Sequence, residues 1–366
     1  MKKWISIMVI IILMISLVAC STQVANNDES NETEKKVPTV TDVNGRTVEL
    51  PEKVEKVVVT GVGALRLYAY AGNMEKLVGV EAVEHANAIG RPYTTINQER
   101  FKSLPVIGEG GPQKGNDPEK IVTMDPDVIF TTYENPDELQ SKTGIPVVSL
   151  SYGNNAVFDD KIYESLELIG LVVGTHDHAK EQVAYLKACE TDLKTRTSGI
   201  EKEKAPKVYV GAMGSKGAHG IESTRGKFII LDVINANNVV DQTGKDGGLM
   251  VDKEQILQWD PDFIFIDMNG LPSVLEDYQN NKTFYKSLSA TKNKKVYGQM
   301  PFNFLTTNID TAITDAYFIG KMIYPEAFQD VDVEKKADEI YTQLLGKPFY
   351  EQMKKDFGGF KNIEWE

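Results

Sequence analysis

The chain opens with a hydrophobic pattern unlike anything that follows it. Lys2 and Lys3 precede an apolar run of sixteen residues from Trp4 to Ala19, closed by Cys20. A short positive start before an apolar stretch of about 7–15 residues predicts an export signal. The run falls short of the roughly 20 residues that a bilayer-spanning helix needs. Residues 21–37, STQVANNDESNETEKKV, offer little for a core and predict a solvated tether. Further on, the apolar positions recur. EKIVTMDPDVIF at 119–130 returns as EQILQWDPDFIF at 254–265, identical at seven of twelve positions and 135 residues later. Each copy predicts a short amphipathic helix, a break at Asp-Pro-Asp and a buried strand. In the same order, KVVVTG at 56–61 matches KVYVGA at 207–212, and IPVVSL at 145–150 has its counterpart in KKVYGQ at 294–299. The period is too long for a solenoid. It predicts two copies of one α/β lobe with parallel sheets.

Between the copies, residues 157–199 hold no proline and only Gly170, Gly174 and Gly199. Ile162, Leu166, Ile169 and Val173 fall at helical spacing, as do Val183, Leu186 and Leu193, with THDH at 175–178 interrupting the pattern. The expected fold is α/β, two Rossmann-like lobes joined by a long connector helix. Its parts are a signal segment (1–19), a tether (20–38), an N-terminal lobe (39–155), the connector (156–200) and a C-terminal lobe with C-terminal helices (201–366). Ligands of open α/β sheets bind beyond the carboxyl ends of the strands, so a cleft between the lobes is the expected pocket.

Composition narrows the function. A length of 366 residues fits about two domains. With 40 Lys and Arg against 53 Asp and Glu, the chain is too acidic for a nucleic-acid binder. Removing residues 1–19, whose only charges are Lys2 and Lys3, takes the net charge from −13 to −15. Two cysteines cannot build a disulfide framework or a four-Cys zinc site. Cys189, in a helical pattern, reads as a small buried apolar residue.

LVAC at 17–20 resembles the lipobox of bacterial lipoproteins, which makes Cys20 the expected lipid anchor and first mature residue. TDVNGRTVELPEKVEKVVV at 41–59, with Asn44-Gly45 as a tight turn, the PEKIVTMDPDVIF segment, and MPFNFLTTNIDTAITDAYFIGKMIYPEAF at 300–328 extend the likeness. Over residues 40–325 the chain resembles the substrate-binding lipoproteins of ABC importers, in the group that binds iron chelates, haem and cobalamin. The resemblance implies a helix-linked pair of lobes with small opening motions. It also implies an extracytoplasmic, membrane-anchored monomer without a cofactor of its own, delivering its ligand to an ABC permease dimer. In that family one Glu per lobe docks against permease arginines, and Glu119 and Glu254 match those positions.

The candidate ligand residues lie in loops after the strands. GVGALR at 61–66 holds Arg66, and VEHANAIGRPYTTIN at 83–97 holds His85, Arg91 and Tyr93. GAMGSKGAHGIESTRG at 211–226 holds five glycines with Met213, Lys216, His219, Ser223, Thr224 and Arg225. Backbone N–H groups and cations together suit an anionic ligand, and arginine pairs carboxylates or oxyanions bidentately. The loop lacks the spacing of a nucleotide P-loop. Phe302 and Phe304 are candidate flat walls for a chelate or macrocycle. His85 and His219 come from opposite lobes but lack a third ligand at metal spacing. Met213 suits core packing better than haem ligation. The expected ligand is an iron chelate (siderophore, haem or corrinoid), and the alternative is an oxyanion such as molybdate or tungstate. An exported hydrolase is a distant alternative, since neither G-x-S-x-G nor H-E-x-x-H is present.

Overall fold

A computed structural model describes residues 37–365 other than 87, 113, 114, 215 and 216. The expected signal segment, Cys20 and most of the tether therefore lie outside the described residues, as does Lys216. The described chain begins with an antiparallel hairpin, β1 (Thr39–Thr41) and β2 (Thr47–Glu49), turned at Asn44-Gly45 with Gly45 at φ 80°. Asp42 holds the turn by accepting from the amides of Asn44 and Arg46, and its other oxygen accepts from the Ser149 amide in the first lobe.

Four parallel strands form the first lobe: β3 (Val57–Thr60), β4 (Leu77–Gly79), β5 (Val128–Thr131) and β6 (Val147–Ser149), in the order β4-β3-β5-β6. The second lobe holds β7 (Lys207–Gly211), β9 (Asn237–Asn238), β11 (Phe263–Asp267) and β12 (Val296–Gln299) in the matching order β9-β7-β11-β12. A short antiparallel strand, β13 (Lys361–Asn362), is added at its edge. The repeat read from sequence is thus a repeat of strand order.

The Asp-Pro-Asp break has the same construction in both lobes. Asp125 and Asp260 take left-handed φ of 49° and 40°, a conformation that Asp tolerates better than most residues. Proline then stops the helix. The second carboxylate ties the break to the lobe's first strand. Asp127 accepts from the amides of Glu55 and Lys56 at 2.6 and 2.8 Å, and Asp262 accepts from the Lys207 amide at 2.8 Å.

Both sheets are buried on two faces, as expected of strands with continuous apolar runs. Val58, Ile129 and Val147 pack outward against Ile121 and Leu139, while Ile264, Ile266 and Val296 pack outward against Ile256 and Trp259. The inward residues of both sheets, among them Val57, Val59, Phe130, Val208, Val210 and Phe265, join one continuous core. Among the helices that fill that core are Ala64–Ala71, Asp160–Val173, His176–Thr197 and Ile309–Ile323.

Two expectations need correction. The connector is a pair of helices rather than one. Gly174 at φ 80° ends the first and His176 begins the second, at the interruption that THDH marks. Gly170 lets the two cross closely, since a Cβ there would come within 2.4 Å of the Ala179 Cβ. The stretch 223–226 is also not loop. It forms β8 (Ser223–Gly226), paired antiparallel with β10 (Gly247–Met250).

Candidate solute-binding site

The loops after the strands carry the site residues. In the first lobe, β3 leads through Gly61-Val62-Gly63 into the helix Ala64–Ala71. Gly63, at φ 77°, admits the opposing loop closely, and a Cβ there would sit 2.4 Å from Thr306 and 2.8 Å from Tyr152. Arg66 lies on that helix, fully buried. Its Nη1 donates to Tyr152 Oη and to the carbonyls of Leu305 and Thr307 at 3.0–3.2 Å, and its Nη2 to the Phe304 carbonyl at 2.7 Å. The guanidinium also lies over the Tyr93 ring, 4.8 Å from its centroid. Arg66 is therefore a clasp between the first lobe and the 304–307 turn.

Arg91 is closed off as well. It is buried, its Nη1 pairs with Glu84 at 3.0 Å and its Nη2 donates to the Val83 carbonyl. Glu84 accepts from Tyr93 Oη and Thr94 Oγ1 too, so arginine and carboxylate share one internal network. His85 has its Nε2 at 2.7 Å from the Phe101 carbonyl.

In the second lobe the hydroxyls expected in the site face inward. Ser223 Oγ donates to the Met213 carbonyl and Thr224 Oγ1 to the Val210 carbonyl, which fastens β8 to the end of β7. Met213 is buried in the shared core. Phe302 is buried and stacks on Phe228. Phe304 is half-buried, with its ring over Gly90, where a Cβ would come within 2.2 Å. His219 is half-buried in the glycine-rich loop. Arg225 is half-buried too, and its guanidinium has no hydrogen-bond or ion-pair partner among the described residues. Of the three arginines proposed from sequence, it is the one without such a partner among the described residues.

Sequence reasoning missed several residues at the strand ends. Glu81, just beyond β4, is buried and accepts from Thr60 Oγ1, the Gly61 amide and Tyr133 Oη at 2.6, 3.1 and 3.1 Å. Burial raises its pKa against those bonds. Tyr133 and Thr132, beyond β5, line a groove of about 580 Å³ with Glu134, Glu138 and Lys142. That lining is no anion site, because its lysine already pairs with Glu138 at 2.6 Å. Asp267 ends β11 beside Gln299 of β12, and burial pushes its carboxyl up to about 7. The usable signal was position: each polar residue lies at or within two residues of the carboxyl end of an apolar strand. Among the described residues, no group of three or more His, Cys, Asp or Glu is placed to hold a metal. Nor is any described helix long and apolar enough to cross a membrane.

Glu119 and Glu254 are exposed in the first turns of the helices Pro118–Thr123 and Lys253–Trp259. An aspartate caps each helix: Asp117 accepts from the Lys120 amide and Asp252 from the Gln255 amide.

With this geometry in view, the periplasmic binding protein family model matches residues 68–300. The chain belongs to the periplasmic binding protein family. Its similarity to the molybdate-binding protein MolA of Haemophilus influenzae is 24% identity over 327 residues, covering 83% of this chain and 90% of the relative. The structure of MolA bound to molybdate superposes with a TM-score of 0.65 at 20% identity, covering 85% of this chain and 98% of MolA, which fixes the likeness of fold. YvrC of Bacillus subtilis, an uncharacterized ABC transporter substrate-binding lipoprotein, is 22% identical over 340 residues, 90% of this chain and 100% of that protein. The Fe(3+)-citrate-binding protein YfmC of the same organism is 23% identical over 311 residues, 81% and 89% of the two chains. In this periplasmic binding protein the strand-end loops of the two lobes carry the candidate ligand residues.

Proposed function

We propose that this periplasmic binding protein captures a small oxyanion of the molybdate class at the mouth of its second lobe and delivers it to an ABC permease. The observation that carries this reading is the closure of Arg66 and Arg91. A carboxylate-rich iron chelate calls for several open guanidinium groups and flat apolar walls, yet two arginines, Tyr93 and Phe302 are enclosed by the protein's own contacts. A compact dianion asks for less: one open arginine, here Arg225, and backbone N–H groups in a glycine-rich loop. The similarity to a molybdate-binding relative supports the same class. An iron chelate is the second reading, favoured by the Fe(3+)-citrate-binding relative.

In the same reading Cys20 carries the lipid anchor outside the cytoplasmic membrane, and Glu119 and Glu254 face the permease. Titration calorimetry with molybdate, tungstate and ferric citrate separates the two ligand classes. The oxyanion reading expects saturable binding of molybdate or tungstate, weakened in Arg225→Ala by about 1–3 kcal/mol, the worth of a charged hydrogen bond. Saturable binding of ferric citrate, with both oxyanions ignored, would replace it by the second reading.

A further inference from the structure

The repeated helices carry more than their glutamates. Seven large apolar side chains are exposed among the described residues, and Val122 and Leu257 are the only two that the 135-residue repeat relates. Val122 is 45% exposed and Leu257 39% exposed. Each lies three residues after its lobe's glutamate, Glu119 or Glu254, and side chains three apart share a helix face. The opposite face is fixed in both copies, since Ile121 and Ile256 are fully buried in the outer cores. The mounts are rigid: an aspartate caps each helix, and Asp127 and Asp262 bind the following break to the strand behind it. Neither glutamate carboxylate has an ion-pair or hydrogen-bond partner among the described residues.

We infer that Val122 and Leu257 are a matched pair of apolar anchors, each completing a Glu-plus-aliphatic stud that seats on one half of a two-fold symmetric permease. The inference rests on the reading that Glu119 and Glu254 face that permease. Two equal studs from one chain fit a partner whose own surface is duplicated. Each half must offer a basic side chain for the open carboxylate, and beside it an apolar pocket for the aliphatic group. In such a contact the charges guide approach and register. The buried aliphatic group adds affinity by leaving water.

The test uses the full chain in its own host membrane, with a photo-crosslinking residue placed singly at positions 119, 122, 254 and 257 and each product identified by mass spectrometry. Positions 122 and 257 should both give adducts with the same polytopic permease protein. Val122→Asp with Leu257→Asp should lower the permease that copurifies at least tenfold while circular dichroism and melting temperature stay unchanged. Adducts with the permease from 119 and 254 but none from 122 and 257 would overturn the anchor assignment and leave the glutamate docking standing. No permease adduct from any of the four positions would remove the docking reading itself. Adducts from 122 and 257 with a second copy of this chain would show a self-association face and also overturn the inference.

Discussion

Burial works against the charge of Asp267 and pushes its pKa from the ordinary 3.8 up to about 7, while the amides of Asn269 and Gly214 favour the charged form and limit the rise. The linkage has a definite sign. Between about pH 4 and 7 the folded protein holds this proton and the unfolded chain does not, so rising pH destabilises the fold across that window. The slope is about 1.4 kcal/mol per pH unit while the two states differ by one proton. Asp267→Asn removes the titration and keeps an oxygen to accept the Asn269 amide. The variant should match the parent near pH 4 and become the more stable of the two by pH 7.5, as urea denaturation at both values would show. Parallel stability curves would mean that Asp267 titrates normally. Arg66 illustrates the opposite use of a buried charge: four hydrogen bonds to the Tyr152 hydroxyl and three carbonyls hold it inside, which makes it a clasp rather than a ligand contact.

At the scale of elements, the helix, break and strand repeated at 119–131 and 254–267 were legible because three independent signals coincide there. Helical periodicity, a proline stop and a β-branched run agree in both copies. The carboxylate that fastens the unit is a local device, and its worth is measurable. Asp262→Ala leaves the part-buried Lys207 amide without its acceptor and should cost about 1–3 kcal/mol, whereas Asp262→Asn should retain most of that stability. A loss below about 0.5 kcal/mol in the alanine variant, read by denaturant titration, would show that water replaces the carboxylate. The helical break at Gly174 was marked by THDH, but helical spacing on both sides of it still read as one connector helix. The strand Ser223–Gly226 was not legible, because glycine and hydroxyl residues read equally well as loop and its pairing partner lies some 24 residues on. The roles of Arg66 and Arg91 were hidden for a related reason. A loop position says that a side chain is near the cleft, but the carbonyl that closes Arg66 is 239 residues away in sequence at Leu305.

At the scale of the molecule, the two lobes are separate sheets with a common interior. Inward residues of β3 and β5 belong to the same buried cluster as those of β7 and β11, with the helices Asp160–Val173, His176–Thr197 and Ile309–Ile323 between them. Polar ties cross at the same place: Tyr70 Oη donates to the buried Asp310, and Asn308 donates to the Gly90 carbonyl. Lobes built this way should unfold together, although the chain is larger than most two-state domains. Leu67, fully buried on the first-lobe helix Ala64–Ala71, offers a test because Trp259 and Trp365 report from the second lobe. Leu67→Ala should remove about 2–5 kcal/mol, and the tryptophan-detected transition should shift to lower denaturant by as much as the transition seen by circular dichroism. If only the circular dichroism signal moves and the tryptophan transition stays at its parental midpoint, the lobes fold independently. In that case the shared core would be contact without cooperativity. Coincident shifts would make the interlobe core one cooperative unit, whose loss unfolds both sheets together.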